Sequence, residues 1–377
     1  MLKEPSFTFG IEEEYHLVDR ATRDLASAPP ELIEMGLSRL GDRVSPEFLR
    51  SQIEIGTSVH RSFTDARAEL ARLRAEIVHL AGEHGLAPIA AGTHPFADWS
   101  RLETSPKQRY QALAQDLGAV GRRLVICGMH VHVAIEDPEL RIDIMNQARY
   151  FLPHLLMLST SSPFWMGRNT GLKSFRLALS KQSPRTGLPG RFNGWGEYTQ
   201  AVQVLVDAGV MENASKIWWD LRPSARFPTL EMRITDVVTR LDDAVAIAAL
   251  YVCICRMLYR LRRGNVGWRT YPVFLLEENR WRAQRYGVGD SLFDLGKGTL
   301  VPYVDLLEEI LALVVEDADA LGCSAIVART RSIAAEGTSA DRQLAVHSRA
   351  LADGADSEAA LRAVVDHLVA ETAAGSG

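Results

Sequence analysis

Apolar and polar residues alternate along several segments of the chain. This alternation predicts β-strands, because successive side chains of a strand point to opposite faces. The predicted strands are Leu2–Val18, Leu49–Gly56, Ala87–Ala91, Val125–Ile135, Lys216–Leu221 and Thr229–Val237. A short link rich in Arg, Pro and Ser joins the last two strands, so we expect them to form an antiparallel hairpin.

Apolar residues that recur every three or four positions predict helices between the strands. The predicted helices are Pro29–Leu40, Thr64–His84 with Thr64 as its N-cap, Lys107–Arg123, Glu139–Leu158, Leu241–Arg263, Phe274–Tyr286 and Val301–Leu321. The stretch Thr160–Gly196 is rich in Gly, Pro, Ser and Arg, and it is expected to be mostly loop. The fold class indicated is α/β, of the α+β kind, with an antiparallel or mixed sheet covered by helices on one side.

The length of 377 residues allows one large domain or two ordinary ones. We interpret residues 1–377 as a single domain. The Ala-rich region over about 338–377 is expected to be helical and peripheral. The apolar segment Ala244–Leu258 has two interpretations, a core helix or a subunit interface, and the sequence does not separate them.

The net charge of -5 argues against general nucleic-acid binding, which requires a basic surface. None of the 4 cysteines has CxxC spacing, and Cys253 and Cys255 are expected to be buried thiols of an apolar helix. No apolar stretch reaches the roughly 20 residues of a membrane span, and the N-terminus lacks the apolar core of a signal peptide. We therefore expect a soluble cytoplasmic protein without a membrane or nucleic-acid partner.

The first strand contains three consecutive glutamates. Alternation places Glu12 and Glu14 on one face together with His16, whereas Glu13 points to the other face with the apolar residues. Two carboxylates on one face repel each other unless water screens them or a cation lies between them. Glu13 is expected to have a structural role.

Ionisable residues recur on one face of four predicted strands. Besides the first strand, they are Glu54 on the second, His130 and His132 on the third, and Glu231 with Arg233 on the last, with Glu47 in a preceding turn. In one sheet they would form a carboxylate-rich cup suited to Mg²⁺ or Mn²⁺ rather than zinc. Taken singly, each element also fits a solvated strand face, a half-buried histidine pair or a same-face salt bridge.

Arginines form the second recurring feature, and their forked guanidinium groups bind carboxylates and phosphates. The candidates are Arg168 and Arg176 in the long loop, Arg222, Arg226 and Arg233 around the last strand, and Asn279, Arg280, Arg282 and Arg285 on a helix. For Arg280 and Arg285 the alternative is an ordinary surface salt-bridged helix. Cations and arginines in one cleft indicate phosphoryl transfer, although the chain has no glycine-rich phosphate loop.

Eight short segments together resemble the type 2 glutamate–cysteine ligase family, the YbdK-like carboxylate–amine ligases. They are Gly10–Tyr15, Gln52–Ile55, Ala91–Pro95, Gly128–Val133, Arg168–Leu172, Trp219–Pro223, Leu230–Arg233 and Asn279–Ala283. The matches occur in the family's order and span about Phe7 to Gly287. The resemblance implies a glutamine-synthetase-like fold, in which an antiparallel sheet forms a funnel with helices on its outer side.

The resemblance also implies a reaction and its site residues. ATP would phosphorylate a carboxylate, and an amine would attack the acyl phosphate to give an amide, with L-glutamate and L-cysteine as one substrate pair. Two or three Mg²⁺ or Mn²⁺ ions would take part in this reaction. The metal ligands implied are Glu12, Glu14, Glu54, His130 and Glu231, with Glu47 as a further candidate. Binding or catalytic roles are implied for Arg233, Arg168, Arg176, Arg226, Asn279, Arg282 and His132.

Two other functions are weighed against this ligase hypothesis. One is a metal-dependent amidase acting on a γ-glutamyl compound, which would need no ATP. The other is a non-catalytic protein that binds a metabolite, although the full set of acidic residues argues against it. A homodimer is expected from the family resemblance.

Overall fold

The computed structural model describes residues 3–105 and 117–375, so most of the predicted helix Lys107–Arg123 lies outside the described residues. The strands are β1 (Phe9–Asp19), β2 (Val44–Pro46), β3 (Gln52–Gly56), β4 (Leu86–Ile89), β5 (Met129–Ala134), β6 (Phe164–Trp165), β7 (Arg168–Asn169), β8 (Thr186–Gly187), β9 (Trp218–Trp219), β10 (Leu221–Pro223), β11 (Thr229–Met232), β12 (Ser291–Asp294) and β13 (Thr299–Pro302).

Helices fill most of the remaining chain. They are α1 (Pro30–Leu40), α2 (Phe63–Glu83), α3 (Ala119–Arg122), α4 (Pro138–Ala148), α5 (Leu152–Ser159), α6 (Arg176–Ser180), α7 (Trp195–Asp207), α8 (Leu241–Arg263), α9 (Val273–Tyr286), α10 (Tyr303–Ala320), α11 (Ser324–Ala328), α12 (Thr330–Glu336), α13 (Ser339–Ala352) and α14 (Ser357–Ala373). Short 3-10 helices are Gly41–Arg43, Trp99–Arg101, Ala214–Lys216 and Gly287–Gly289.

A 7-stranded antiparallel sheet organises the described part of the chain. The strand order is β10-β11-β5-β1-β3-β2, and β4 pairs with the second half of β1. Strands β10 and β11 form the hairpin predicted from the sequence. The prediction of an antiparallel sheet with helices packed against it is confirmed.

The strand register brings the acidic positions together. On β1, Glu12 lies opposite His130 of β5, and Glu14 lies opposite Glu54 of β3. Residues directly opposite in an antiparallel pair point to the same face. The predicted acidic face therefore exists as a continuous surface across neighbouring strands.

The other face of the sheet packs against the helices. The side chains of Ile11, Tyr15 and Leu17 on β1 are each at most 1% exposed, and they belong to the main hydrophobic core. Helix α8 is long and apolar enough to cross a membrane by length and composition alone, but 83% of its apolar window is buried inside the protein. The apolar segment within α8 is therefore a core helix.

Glu13 is buried on the helix-covered face, as the alternation predicted. Its carboxylate pairs with Arg74 of α2, with 2.6 Å between Oε1 and Nη2, and neither side chain is more than 1% exposed. Arg74 also donates to the carbonyl oxygens of Val238 and Thr239, and the hydroxyl of Tyr15 donates to Glu13. This pair ties β1 to α2 and to the segment before α8.

Several predicted boundaries were wrong, for local reasons. Strand β1 begins at Phe9 rather than at residue 2, and the side chain of Ser62, not Thr64, caps α2 by accepting from the amide of Asp65. The single helix predicted over 139–158 is two helices, because Pro153 lacks the amide hydrogen that a continuous helix needs there. Helix α7 and the hairpin of β12 and β13 were not predicted.

The C-terminal region is helical, as predicted, but it is packed rather than peripheral. Leu361, Val364 and Leu368 of α14 are buried in a second hydrophobic cluster together with residues of β4. The hydroxyl of Thr372 accepts a hydrogen bond from the amide of Ala90, at 2.9 Å. Apolar residues spaced three or four apart give α14 this buried face.

The cysteine thiols are all free and buried. Cys253 and Cys255 lie in α8, as expected for an apolar core helix. Burial in apolar surroundings raises the pKa of the Cys255 thiol to about 12, so it remains protonated at neutral pH.

The buried ion pair leads to a stability prediction. Glu13→Gln leaves the Arg74 guanidinium buried without a carboxylate, so we expect a loss of about 3 kcal/mol in the free energy of unfolding. Urea denaturation measures the change. The matched control is Glu358→Gln, which removes an exposed helical ion pair with Arg362 and should change stability little. Equal effects of the two substitutions would contradict the assignment.

Candidate active site

The acidic face of the sheet contains two clusters of ligand-type side chains. The first consists of Glu12, His132 and Glu231, each of which offers one ligand atom within 4.8 Å of the others. Glu231 of β11 lies opposite His132 of β5, and His132 Nε2 is 3.4 Å from Glu12 Oε1. Nδ1 of His132 is hydrogen-bonded to the hydroxyl of Thr229, at 2.9 Å, which leaves Nε2 directed to the carboxylates. We call this group the first acidic cluster.

The second acidic cluster consists of Glu14, Glu47 and Glu54. Glu14 and Glu54 are register neighbours, and the side chains of Glu47 and Glu54 are in hydrogen-bond contact. The amide of Gly128 donates to Glu14 Oε2 at 2.6 Å. The position of Glu47, in the short connection between β2 and β3, brings it to the same place as the two strand residues.

Crowding of carboxylates perturbs the titration of the second cluster. Burial raises the pKa of Glu14 to about 7, and the neighbouring Glu47 adds to the shift. Burial, followed by the contact with Glu47, raises the pKa of Glu54 well above its ordinary value. These carboxylates cannot all ionise without a compensating positive charge, which is the behaviour expected of a cation site.

The pKa values of the two histidines shift in opposite directions. Burial, followed by the nearby Arg233, lowers the pKa of His130 to about 4, so its imidazole is neutral at neutral pH. Its Nε2 atom is buried, has no hydrogen-bond partner in the described chain, and lies 3.8 Å from Glu14. Burial also opposes the charged form of His132, but Glu12 and Glu231 outweigh it and raise the pKa. His130 thus lies between the two acidic clusters with a free ring nitrogen.

Hydrogen bonds from both histidines act on Glu12. Burial opposes ionisation of this carboxyl, but the contacts with His130 and His132 hold its pKa well below the usual range. Glu12 therefore stays ionised, in contrast to Glu14 on the same strand. One strand face thus presents an ionised carboxylate and a carboxyl whose charge depends on its surroundings.

Two arginines, Arg222 and Arg233, bind the carboxylate of Glu231. Arg222 of β10 forks onto the carboxylate with Nε and Nη2 at 2.9 Å and 3.1 Å, and Arg233 Nη1 contacts Glu231 and His130. Although burial opposes ionisation, Arg233 and then Arg222 hold the pKa of Glu231 far below its ordinary value. Arg222 was one of the candidate arginines in the sequence, and its position opposite Glu231 follows from the hairpin register.

Arg176 provides a third guanidinium group next to the acidic clusters. It is 6% exposed, and its Nη1 and Nη2 atoms donate to the carbonyl oxygens of Ile234 and Arg233. Its Nε atom is buried and has no partner within the described residues. The guanidinium lies so close to Gly128 that a Cβ there would be 2.4 Å from Nη2, so a larger residue at this position would displace the guanidinium.

Asp236 supports this arrangement and was not predicted from the sequence. It is fully buried and accepts hydrogen bonds from the amide of Ser161 and the hydroxyls of Ser162 and Ser174, at 2.7 to 2.9 Å. Its Oδ1 atom lies 3.8 Å from Arg176 Nη1. The three serines are distant from Asp236 along the chain, so no local sequence pattern predicts this hydrogen-bond network.

A cavity opens beside the second acidic cluster. Its volume is about 860 Å³, including solvent at its mouth. The ionisable side chains that line it are Glu14, Glu47, His130, Arg176, Asp220 and Arg233. Carboxylates, a neutral imidazole and two guanidinium groups therefore meet at one solvent-accessible space.

Four of the predicted binding residues lie elsewhere. Arg168 is exposed on β7, and Arg226 is exposed in the β10–β11 turn with its guanidinium 5.0 Å from the Phe227 ring. On α9, Asn279 bonds to the backbone of Phe293 and Arg282 donates to the carbonyl of Ser291. The polar atoms of Asn279 and Arg282 hold α9 against β12, which explains why these two side chains do not reach the cavity.

Arg280 is not the surface residue of the alternative interpretation. Its side chain is 2% exposed and forks onto Asp220, with the shorter contact at 2.6 Å. The short strand β9 ends next to Asp220, whose carbonyl accepts from the amide of Arg233. The pair therefore connects α9 to the strand that carries the site arginine.

Comparison with solved structures defines the class of protein. The fold resembles a glutamate–cysteine ligase from Francisella tularensis, solved in complex with AMP, with a TM-score of 0.69, 12% identity and coverage of 99% of this chain and 90% of that chain. It also resembles a bifunctional glutathione synthetase from Pasteurella multocida, with a TM-score of 0.69, 16% identity and coverage of 98% of this chain but 52% of that one. The fold is that of a glutamate–cysteine ligase.

Sequence comparison gives the family. The family model described as "Glutamate-cysteine ligase family 2 (GCS2)" matches residues 8–367. Proteins described as "Putative glutamate--cysteine ligase 2" from Rhodospirillum rubrum and from a Jannaschia species are 57% and 54% identical, over 100% and 96% of this chain and 98% and 96% of theirs. The chain belongs to glutamate–cysteine ligase family 2, whose members are ATP-dependent ligases of the carboxylate–amine type.

The raised pKa of Glu14 gives a pH prediction. The folded protein binds this proton more tightly than the unfolded chain, so without a cation stability falls as pH rises from 4.5 to about 7. A divalent cation competes with the proton. We expect millimolar MgCl₂ to raise the melting temperature by about 3 °C at about pH 8 and by less than about 1 °C at about pH 5.5.

Glu14→Gln is the control for this experiment. It removes one of the titrating groups and should make the Mg²⁺-induced shift smaller and less dependent on pH, with Glu54 as the remaining titrating group. Thermal melts of both proteins at the two pH values measure the difference. An equal shift for the unaltered protein at both pH values would rule out Glu14 as the group that protons and cations share.

Proposed function

We propose that the protein is an ATP-dependent ligase that joins a carboxylate to an amine through an acyl phosphate. The specific reaction proposed is L-glutamate + L-cysteine + ATP to γ-glutamylcysteine + ADP + phosphate. The observation that carries this proposal is the meeting of two acidic clusters and two arginines, Arg176 and Arg233, at one face of the sheet. Amidases need neither the arginines nor a nucleotide, so this combination favours the ligase over the hydrolase.

The donor set fits hard divalent cations, Mg²⁺ or Mn²⁺. We propose that Glu12, His132 and Glu231 hold one cation, and that Glu14, Glu47, Glu54 and His130 hold others. The raised pKa values of Glu14 and Glu54 and the unpartnered Nε2 of His130 support this assignment. Bound there, the cations would neutralise phosphate charge and polarise the transferring group.

The two arginines have separate roles in the proposal. Arg233 is fixed by Glu231 and His130 and lies between the acidic clusters, where it can stabilise the charge of the transferring phosphoryl group. Arg176 lines the cavity, and its Nε atom has no partner in the described chain, so its guanidinium group can bind the carboxylate of the acid substrate. Both guanidinium groups are held by protein contacts before any substrate binds, so no ordering cost arises during the reaction.

The proposed reaction has two steps. A carboxylate oxygen of the acid attacks the γ-phosphorus of ATP, ADP leaves, and an acyl phosphate forms. The amine nitrogen then attacks the acyl carbon, phosphate leaves, and the nitrogen loses a proton as the amide forms. The AMP bound to the Francisella tularensis ligase supports a nucleotide site in this fold. This chain has no glycine-rich phosphate loop, so cations and side chains would hold ATP in the proposed reaction.

Replacement of a first-cluster ligand should abolish turnover. Glu12→Gln keeps the size of the side chain but removes its charge, so we expect ADP release to fall at least about 100-fold. A coupled assay with Mg²⁺, ATP, L-glutamate and L-cysteine measures the rate. Glu103→Gln, at an exposed position paired with Arg50, is the matched control and should keep full activity.

Two results would contradict the ligase assignment. One is ADP release that does not change when any amine is added, because the amide-forming step requires the amine. The other is a melting temperature that ATP leaves unchanged in the presence of Mg²⁺, since an amidase has no nucleotide site. Retention of activity by Glu12→Gln would show instead that the cation site is assigned to the wrong residues.

We also propose that the enzyme acts in the cytoplasm as a homodimer. The free cysteines suit a reducing compartment. On α9, Phe274 and Trp281 are 72% and 49% exposed and lie seven residues apart, so they share one side of the helix. Large exposed apolar side chains of this kind are typical of association surfaces.

The dimer proposal is tested by the oligomeric state in solution. We expect light scattering after size-exclusion chromatography to give twice the mass of 41.7 kDa. Trp281→Glu adds a charge to the exposed apolar surface of α9 and should shift the protein toward the monomer. A monomeric mass for the unaltered protein would refute the proposal.

A further inference from the structure

The active-site cavity has an apolar side in addition to its charged residues. Phe48, Leu124, Ile126 and Leu177 line the same space as Glu14 and Arg233, and we call these four residues the apolar wall. Phe48 and Leu177 are buried, whereas Leu124 and Ile126 remain partly accessible.

The apolar wall is assembled from three separate parts of the chain. Phe48 lies between β2 and β3, Leu124 and Ile126 precede β5, and Leu177 lies in α6. The phosphate, carboxylate and cations of the proposed reaction gain nothing from contact with hydrocarbon. A wall of this kind stabilises a ligand only where the ligand itself carries apolar surface.

The polar groups of the cavity limit the charge of that ligand. Asp220 lines the cavity but is neutralised by Arg280, and the remaining acidic lining residues in the described chain are Glu14 and Glu47 of the second acidic cluster. A cationic side chain would therefore have no separate carboxylate partner. Ser183 offers a buried hydroxyl without a partner in the described chain, which suits a polar group of the same ligand.

Building on the proposed ligase activity, we propose that the amine substrate is an amino acid with an uncharged apolar side chain that packs against the apolar wall. Cysteine is a small member of this class, and larger aliphatic amino acids fill the wall better. Each buried methylene adds to the binding free energy, whereas a hydroxyl placed against hydrocarbon loses its hydrogen bonds to water.

Pairs of isosteric amino acids test the proposal. ADP release is measured with Mg²⁺, ATP and L-glutamate while the amine is L-valine or its isostere L-threonine. We expect kcat/KM for L-valine to exceed that for L-threonine by about 10-fold to 100-fold. Melting temperatures with each amino acid, in the presence of Mg²⁺ and a non-hydrolysable ATP analogue, give a second measurement that does not depend on turnover.

Variants of the wall assign the preference to these residues. Leu124→Asn keeps the approximate volume and makes the surface polar, so the ratio of L-valine to L-threonine should fall below about 3. Ile126→Thr is a second, β-branched replacement in case the first variant does not fold. Val204→Asn is the matched control, because Val204 is 60% exposed on α7 and does not line the cavity.

The outcomes separate this proposal from the proposed function. Amine-dependent ADP release with equal use of L-valine and L-threonine would leave the ligase intact and overturn the apolar amine. Unchanged selectivity in Leu124→Asn together with a raised KM for ATP would assign the wall to the nucleotide base and also overturn it. Absence of ADP release would refute the ligase. Even then, a melting shift that is larger with L-valine than with L-threonine, and that Leu124→Asn removes, would support the apolar amine site.

Discussion

Mutual repulsion among closely spaced carboxylates is the constraint on which the site depends. Five glutamates from three strands and one turn meet on one face of the sheet, where burial weakens the screening by water. Within the described residues, Arg222 and Arg233 hold Glu231, whereas no arginine lies at hydrogen-bond distance from the second acidic cluster. Protons or cations can supply the positive charge that this cluster needs, in line with the raised pKa values of Glu14 and Glu54.

The core-facing side of β1 carries a buried carboxylate whose ionic partner is supplied by the chain itself. Glu13 lies between two glutamates of the acidic face, yet Arg74 and Tyr15 satisfy it completely within the core. Contacts in the core therefore fix the position of strand β1, while the carboxylates on its acidic face lack full charge compensation within the described residues. The same division recurs at Arg176, which backbone carbonyls fix in place while its Nε atom stays free.

The acidic face could be predicted from the sequence because strand alternation is a local rule, and Glu12, Glu14 and Glu54 obey it. The helix of Asn279 and Arg282 was predicted correctly, but the contacts of these two residues with β12 were not, because they depend on a hairpin that the pattern did not reveal. Asp236 was missed because its serine partners lie more than 60 positions away in the chain. Local periodicity thus predicts which face is charged, whereas contacts between distant segments decide which charges remain free.

The hydrogen bond between Thr372 and Ala90 joins positions 282 residues apart, and it links α14 to the strand that pairs with β1. During synthesis on the ribosome, β1 and β4 emerge long before α14. The strand pairs around β1 can form before α14 exists, but β4 gains its outer support only when α14 has been made. The order of translation therefore places the full support of this part of the sheet after the synthesis of α14.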